Sequence, residues 1–142
     1  MSNPRILIVE DEAITALDEQ EALEELGYDV VGIVDTGEDA IAKAGELKPD
    51  LVLMDITLRT QMDGKEAAWK IRENHDIPVI FVTAKGNKAI YNAANYGHVT
   101  GYIIKPFDID ILQATIEAAL RGELTPPKNW VPPTQDPDLN LD

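Results

Sequence analysis

The chain has 142 residues, of which 44% are hydrophobic, and its formal net charge is −14. This length fits one domain with a core that buries about two-thirds of the unfolded chain's surface. The negative charge would repel phosphate backbones and anionic lipids, which argues against direct binding of nucleic acid or of a membrane surface. The sequence has no cysteine, no signal-type start and no apolar run of the roughly 18 residues that a membrane span requires, so we expect a cytoplasmic protein.

The first half of the chain alternates short apolar runs with helical patterns. Residues 6–9 predict a strand, and an amphipathic helix follows whose apolar stripe holds Ala13, Ala16, Leu17, Leu23 and Leu26. Gly27 is expected to close this helix, and the acidic cluster at residues 19–25 predicts a solvated surface. A second strand is predicted at residues 29–34. Thr36 and Asp39 resemble a capping box that opens a helix running through Ala44.

The second half continues the same alternation. It predicts a strand at 51–54, a helix at 64–74, a strand at 78–82, a weak helix at 87–96, a strand at 101–104 and a last helix at 109–120. Asp108 is the expected N-cap of the last helix, and Gly122 follows its end. Such alternation predicts an α/β domain, a parallel sheet covered by helices on both faces. We place this domain at residues 1–122 and interpret residues 123–142 as a proline-rich, acidic tail or linker.

Polar residues follow four of the predicted strands at their carboxyl ends. They are Glu10 with Asp11, then Asp55, Thr83 and Lys105. Because parallel strands end at one edge of a sheet, we expect these side chains to meet there, where ligands bind in open α/β sheets.

The residue types at this edge favour chemistry on a phosphoryl group. Carboxylates packed within several ångströms repel one another unless a cation relieves them, and an oxygen-only site suits Mg²⁺. Mg²⁺ accepts one or two carboxylates together with a phosphate oxygen. Lys105 and Thr83 supply partners for further phosphate oxygens, which leaves Asp55 as a nucleophile able to form an acyl phosphate.

These motifs resemble the receiver domain of two-component response regulators over about residues 4–121. The resemblance rests on five motifs in order: Glu10-Asp11, Asp55 in Leu-Met-Asp-Ile, Met62-Asp63-Gly64, Thr83-Ala84, and Gly101 to Phe107 with Lys105-Pro106. It implies a flavodoxin-like (βα)5 doubly wound sheet with strand order 2-1-3-4-5. It also implies that the chain takes a phosphoryl group from a sensor histidine kinase or a phosphotransfer protein and catalyses only its own phosphorylation and dephosphorylation.

The resemblance assigns roles to individual residues. Asp11 and Asp55 would bind Mg²⁺ through their side chains, Thr57 through its backbone carbonyl and Glu10 through water. Thr57 also belongs to the expected phosphate-binding set, whose other members are Thr83, the backbone amide of Ala84, and Lys105.

The resemblance also implies how the phosphoryl group is read out. A bond from Thr83 to the phosphoryl group would draw Thr83 toward that group and let the Tyr102 side chain turn inward. These two residues therefore form the expected switch. The weak helix at 87–96, the strand at 101–104 and the last helix form the face through which a downstream protein or a second copy would bind.

Two other interpretations remain open from the sequence. One is a metal-dependent phosphatase with Asp55 as its nucleophile, although Thr57 stands where such enzymes carry a second acidic residue. The other is a receiver-like interaction module that is never phosphorylated, which gives no reason to gather Asp11, Asp55, Thr83 and Lys105 at one edge.

Overall fold

The computed structural model describes residues 3–55, 58, 64–83, 101–105 and 107–123. The strands are β1 (Arg5–Val9), β2 (Asp29–Val34), β3 (Leu51–Asp55), β4 (Val79–Thr83) and β5 (Gly101–Ile104). The helices are α1 (Ala13–Glu25), α2 (Gly37–Leu47), α3 (Gly64–His75) and the last helix (Ile109–Leu120).

All five strands are parallel and lie in the order β2-β1-β3-β4-β5, which confirms the predicted flavodoxin-like sheet. The sheet separates two apolar clusters. Leu7 and Val9 face the cluster that includes residues of α2 and α3, whereas Ile6 and Ile8 face the cluster that includes residues of α1 and the last helix. Both faces of β1 are therefore buried, as a doubly covered parallel sheet requires.

The parallel register aligns the carboxyl ends of the strands. Val9 pairs with Met54, Asp55 with Val82, and Thr83 with Ile104. The residues that end β3 and β4, and those that follow β1 and β5, therefore lie at one edge of the sheet, where the sequence places the polar residues.

The opposite edge of the sheet is held by Arg5 at the start of β1. Its backbone N–H donates to Asp50 Oδ2 at 2.8 Å, and its guanidinium donates to the carbonyl oxygens of Leu47 at 2.8 Å and Lys48 at 3.2 Å. These carbonyls belong to the C-terminal end of α2, where the last backbone C=O groups of a helix have no N–H partner within the helix. Arg5 thus ties β1 to the end of α2 and the approach to β3.

Helix ends agree with the sequence patterns in part. The Thr36 side chain accepts a hydrogen bond from the Asp39 backbone N–H at 3.0 Å, as predicted, and α2 extends beyond Ala44 to Leu47. Asp108 occupies the N-cap position of the last helix, as predicted, although its side chain makes no capping hydrogen bond. The first turn of the last helix begins without a side-chain acceptor from its cap residue.

The buried stripe of α1 differs from the predicted one. Its buried residues are Ala16, Glu19 and Leu23, whereas Leu17 is 55% exposed. The error has a physical cause: apolar residues occur on more than one side of this helix, including Ile14, which is 78% exposed. The predicted solvated surface over residues 19–25 is therefore wrong at Glu19, which is 2% exposed.

Gly101 allows the last helix to pack closely on β5. A Cβ at this position would lie 2.9 Å from Thr115 Cγ2 and 3.2 Å from Ile80 Cγ1. We expect Gly101→Ala to lower the free energy of unfolding by about 1–3 kcal/mol because a filled core cannot accept an extra methyl group. Urea unfolding measures this change.

A second substitution controls the interpretation of Gly101→Ala. Thr115→Ser removes the clashing methyl group but keeps the hydroxyl, which donates to the Ile111 carbonyl at 2.7 Å. The double variant should recover most of the loss. A Gly101→Ala protein as stable as the wild type would show that this contact does not limit packing.

Several predicted features lie outside the described residues. They include the weak helix at 87–96 and residues 124–142 of the proline-rich tail. The division of the chain at residues 122 and 123 and the homodimer face therefore stay predictions. Among the described residues, no helix is long and apolar enough to cross a membrane.

Candidate functional site

Three carboxylates meet at the carboxyl edge of the sheet. Glu10 and Asp11 follow β1, and Asp55 ends the adjacent strand β3. One oxygen from each of these residues lies within 4.8 Å of the other two. Glu10 is 3% exposed and Asp55 is 8% exposed, so their charges are largely removed from water.

Lys105 brings a positive charge into this cluster. It follows β5, and its Nζ donates to Glu10 Oε1 at 2.6 Å. The Lys105 side chain is 21% exposed and that of Glu10 is 1% exposed. The other oxygen of Glu10 accepts a longer hydrogen bond, 3.3 Å, from the backbone N–H of Glu12. Glu10 is thus held from two sides.

The pKa values of Glu10 and Lys105 favour an ion pair. Burial alone would raise the pKa of Glu10, but hydrogen bonds with Lys105 and Asp55 and the charge of Lys105 bring it below its ordinary value. Burial alone would lower the pKa of Lys105, but the hydrogen bond to Glu10 and the nearby carboxylates raise it. Both groups are therefore charged at neutral pH.

Glu19 is a further carboxyl group beside the cluster. Burial, together with the charge of Glu10 and a hydrogen bond to it, raises the pKa of Glu19 to about 9. Its Oε1 is buried and has no hydrogen-bond partner in the described part of the chain. This carboxyl is therefore neutral at pH 7.

The donor set of the cluster fits a hard divalent cation. Carboxylate oxygens are the ligands that Mg²⁺ prefers, and this cluster offers no sulfur or imidazole among its three members. Receiver domains hold Mg²⁺ at an acidic pocket of this kind. Thr57, expected to add a backbone carbonyl, lies outside the described residues.

The structure brings together Glu10, Asp11, Asp55 and Lys105, four of the predicted site residues. Thr83 is the last residue of β4, and the backbone of Tyr102 pairs with Phe81 in the neighbouring strand. The side chains of Thr83 and Tyr102 are outside the described part of the chain, as is Ala84. Their phosphate-binding and switch roles stay predictions.

Sequence reasoning missed Glu19. Its neighbours at three residues before and four residues after, Ala16 and Leu23, belong to the buried stripe of α1. That spacing places Glu19 on the same face of the helix, which is the signal that could have found it. The acidic composition of the surrounding segment concealed the signal.

The comparisons with known proteins agree with this geometry. The family model described as the response regulator receiver domain matches residues 6–117. The transcriptional regulatory protein PdtaR of Mycobacterium tuberculosis is 37% identical over 116 residues, which cover 82% of this chain and 56% of that protein. The response regulator ArlR of Staphylococcus saprophyticus is 40% identical over 128 residues, which cover 89% of this chain and 56% of that protein.

A solved structure shows the same likeness. The signal receiver domain of a modulated diguanylate cyclase from Desulfovibrio desulfuricans has a TM-score of 0.79 and 37% identity, and the match covers 85% of this chain and 96% of that one. The chain spans a little over half the length of PdtaR and of ArlR. On the match to the family model and on these likenesses, the chain belongs to the response regulator receiver domains.

Proposed function

We propose that this chain accepts a phosphoryl group on Asp55 from a phosphohistidine of a sensor histidine kinase or a phosphotransfer protein. A carboxylate oxygen of Asp55 forms the new bond to phosphorus, and the bond between phosphorus and the imidazole nitrogen of the donor breaks. Catalysis extends only to the chain's own phosphorylation and dephosphorylation. A cytoplasmic location follows from this proposal, since the phosphoryl groups of such donors originate from ATP.

The observation that carries the proposal is the cluster of Glu10, Asp11 and Asp55 with Lys105 bonded at its side. Phosphoryl transfer needs little covalent help from a protein, so its catalysis consists mainly of positioning and charge neutralisation. Asp55 supplies the nucleophile at a fixed strand end, and Lys105 supplies a cation able to pair with a phosphoryl oxygen.

The acidic residues have a second task in the proposal. Glu10, Asp11 and Asp55 would hold Mg²⁺, which when bound neutralises charge on the phosphoryl oxygens. Without a cation, three carboxylates this close would repel an incoming phosphoryl group. Phosphorylation should therefore require the divalent ion.

The proposal is tested by incubating the protein with acetyl phosphate and Mg²⁺ and measuring its intact mass. We expect a gain of one phosphoryl group, which a chelator prevents. The Asp55→Ala variant should gain none, because it lacks the accepting oxygen. Beryllofluoride with Mg²⁺ should likewise bind to the wild type and not to this variant.

Asp35 offers a matched control because it follows β2 at the same edge, is exposed, and is not a member of the acidic cluster. The Asp35→Asn variant should be phosphorylated like the wild type. An adduct that persists in Asp55→Ala would refute Asp55 as the acceptor. Sustained turnover of a phosphomonoester would instead support the phosphatase interpretation.

A further inference from the structure

A cavity of about 350 Å³ lies between α1 and the segment that follows β5. The described residues that line it are Thr15, Asp18, Glu19, Lys105 and Phe107. None of the three clustered carboxylates is among these lining residues. The volume lies within the range of about 300–1,000 Å³ that is usual for sites of small ligands. The cavity is therefore distinct from the acidic cluster, although Lys105 belongs to its wall.

One residue in the wall of this cavity is a buried carboxyl group with an unsatisfied oxygen. Glu19 is 2% exposed, and its Oε1 has no hydrogen-bond partner among the described residues. A buried polar atom without a partner costs about 1–3 kcal/mol. Glu19 lies on the buried stripe of α1 between Ala16 and Leu23, where an apolar side chain would avoid this cost. The cavity is the space from which a hydrogen-bond donor can reach this oxygen.

The other lining residues select the chemistry of that donor. Asp18 contributes an exposed carboxylate and Thr15 a hydroxyl, and both groups accept hydrogen bonds. Phe107 contributes an aromatic ring, and ammonium groups are attracted to the faces of such rings. Lys105 would repel a cation, but Glu10 compensates its charge through a hydrogen bond of 2.6 Å. An organic cation with N–H donors therefore fits this cavity better than an anion does.

We propose that this cavity binds a small organic ammonium ion. Its N–H groups donate to Glu19 Oε1 and to the Asp18 carboxylate, and its apolar part packs on Phe107. Glu19 needs only an oxygen that accepts, so the proposal assigns no charge to this residue. Binding needs no phosphoryl group and is independent of the proposed function. It would place a ligand beside Lys105, which in the proposed function pairs with the phosphoryl group.

The first test is a titration of the isotope-labelled protein with benzylammonium chloride at pH 7, followed by the NMR shifts of the backbone amides. We expect saturable shifts at residues 15–19 and at Lys105 and Phe107. Benzyl alcohol is the neutral analogue, and it should bind at least about tenfold more weakly because it lacks the charge-assisted hydrogen bonds and the attraction to the ring. Benzoate should not bind. The absence of saturable shifts with benzylammonium overturns the proposal.

Two substitutions of Glu19 test its part in binding. Glu19→Leu removes the accepting oxygen, and we expect the affinity for benzylammonium to fall about tenfold, the effect of losing one hydrogen bond from a charged donor. Glu19→Gln keeps a carbonyl oxygen and should stay within about threefold of the wild type. Urea unfolding of each variant shows that it is folded. Equal losses of affinity in the two variants would contradict the role of Glu19 as an acceptor.

Asp18→Asn tests whether the cation is bound in the cavity or attracted by the acidic surface as a whole. It should weaken benzylammonium binding about fivefold and leave benzyl alcohol binding unchanged, because only the charged ligand gains from the carboxylate. Glu21→Gln is the matched control, since Glu21 is exposed on the same helix and does not line the cavity. Equal weakening in these two variants would show diffuse attraction and refute the site.

The Asp55→Ala variant separates this proposal from the proposed function. It should gain no phosphoryl group but should bind benzylammonium like the wild type, since Asp55 does not line the cavity. Loss of benzylammonium binding in Asp55→Ala would contradict a separate site. A wild-type protein that binds benzylammonium and gains no phosphoryl group would refute the proposed function alone.

Discussion

The Lys105→Ala variant is expected to unfold with about 3 kcal/mol less free energy than the wild type in magnesium-free buffer, since removing one partner of a buried pair leaves the other charge uncompensated. Glu10, whose side chain is 1% exposed in the wild type, would lose its hydrogen bond from Lys105. Three carboxylates would then face one another without the Lys105 ammonium beside them. Urea unfolding with a chelator present measures the loss.

A surface ion pair provides the comparison for Lys105. Lys43 and Glu46 lie 3.2 Å apart on α2, and their side chains are 44% and 63% exposed. Lys43→Ala should therefore cost less than about 0.5 kcal/mol. Adding Mg²⁺ should restore part of the stability of Lys105→Ala, because the ion would compensate Glu10 and its neighbours. Equal losses in the two lysine variants would contradict a buried, coupled pair.

The second large effect is a fall in stability with rising pH, which should be less steep in the Glu19→Gln variant than in the wild type. Folding raises the pKa of Glu19 from an ordinary 4.5 to about 9. Between these values the unfolded chain has released this proton and the folded chain has kept it. The folded state therefore binds more protons, and its stability falls as pH rises, on the order of 1 kcal/mol per pH unit for such a group. Below its ordinary pKa the residue imposes no such loss.

The measurement is urea unfolding at several pH values between about 5 and about 9, the window set by the two pKa values. Glu19→Gln carries no titrating carboxyl, so its stability should fall less steeply across this window than that of the wild type. Glu21→Gln is the control, because Glu21 is exposed on the same helix. Glu10, whose pKa is lowered on folding, contributes stability that is lost toward acid and so acts outside this window. Parallel curves for the wild type and Glu19→Gln would show that Glu19 is not held neutral.

The strands were predictable because their sequence signal is local. Each apolar run is bounded by a polar residue, as where Leu51 to Met54 meet Asp55, and the observed strands begin and end within about one residue of the predicted ones. The shared edge followed from the rule that strands alternating with helices form a parallel sheet. The sheet topology alone was therefore enough to predict that Glu10, Asp55 and Lys105 lie close together.

The inward face of α1 was not predictable in the same way. Ala13 and Leu17 are apolar but face outward, and Glu19 is acidic but faces inward. An ionisable residue becomes tolerable in a core only through its surroundings, and the groups that act on Glu19 lie nine residues earlier, at Glu10, and in segments that belong to other strands. The sequence of α1 by itself therefore does not reveal which groups surround Glu19.

Arg5 has a mechanical consequence. Its backbone N–H and guanidinium hydrogen-bond Asp50 and the last carbonyl oxygens of α2. The start of β1 is therefore fixed relative to the end of α2 and the approach to β3. At the opposite edge, β1 and β5 are linked through side chains, the Lys105 ammonium and the Glu10 carboxylate. We therefore expect a charge added at the carboxyl edge to shift side chains there without sliding β1 past the end of α2, where Arg5 holds it.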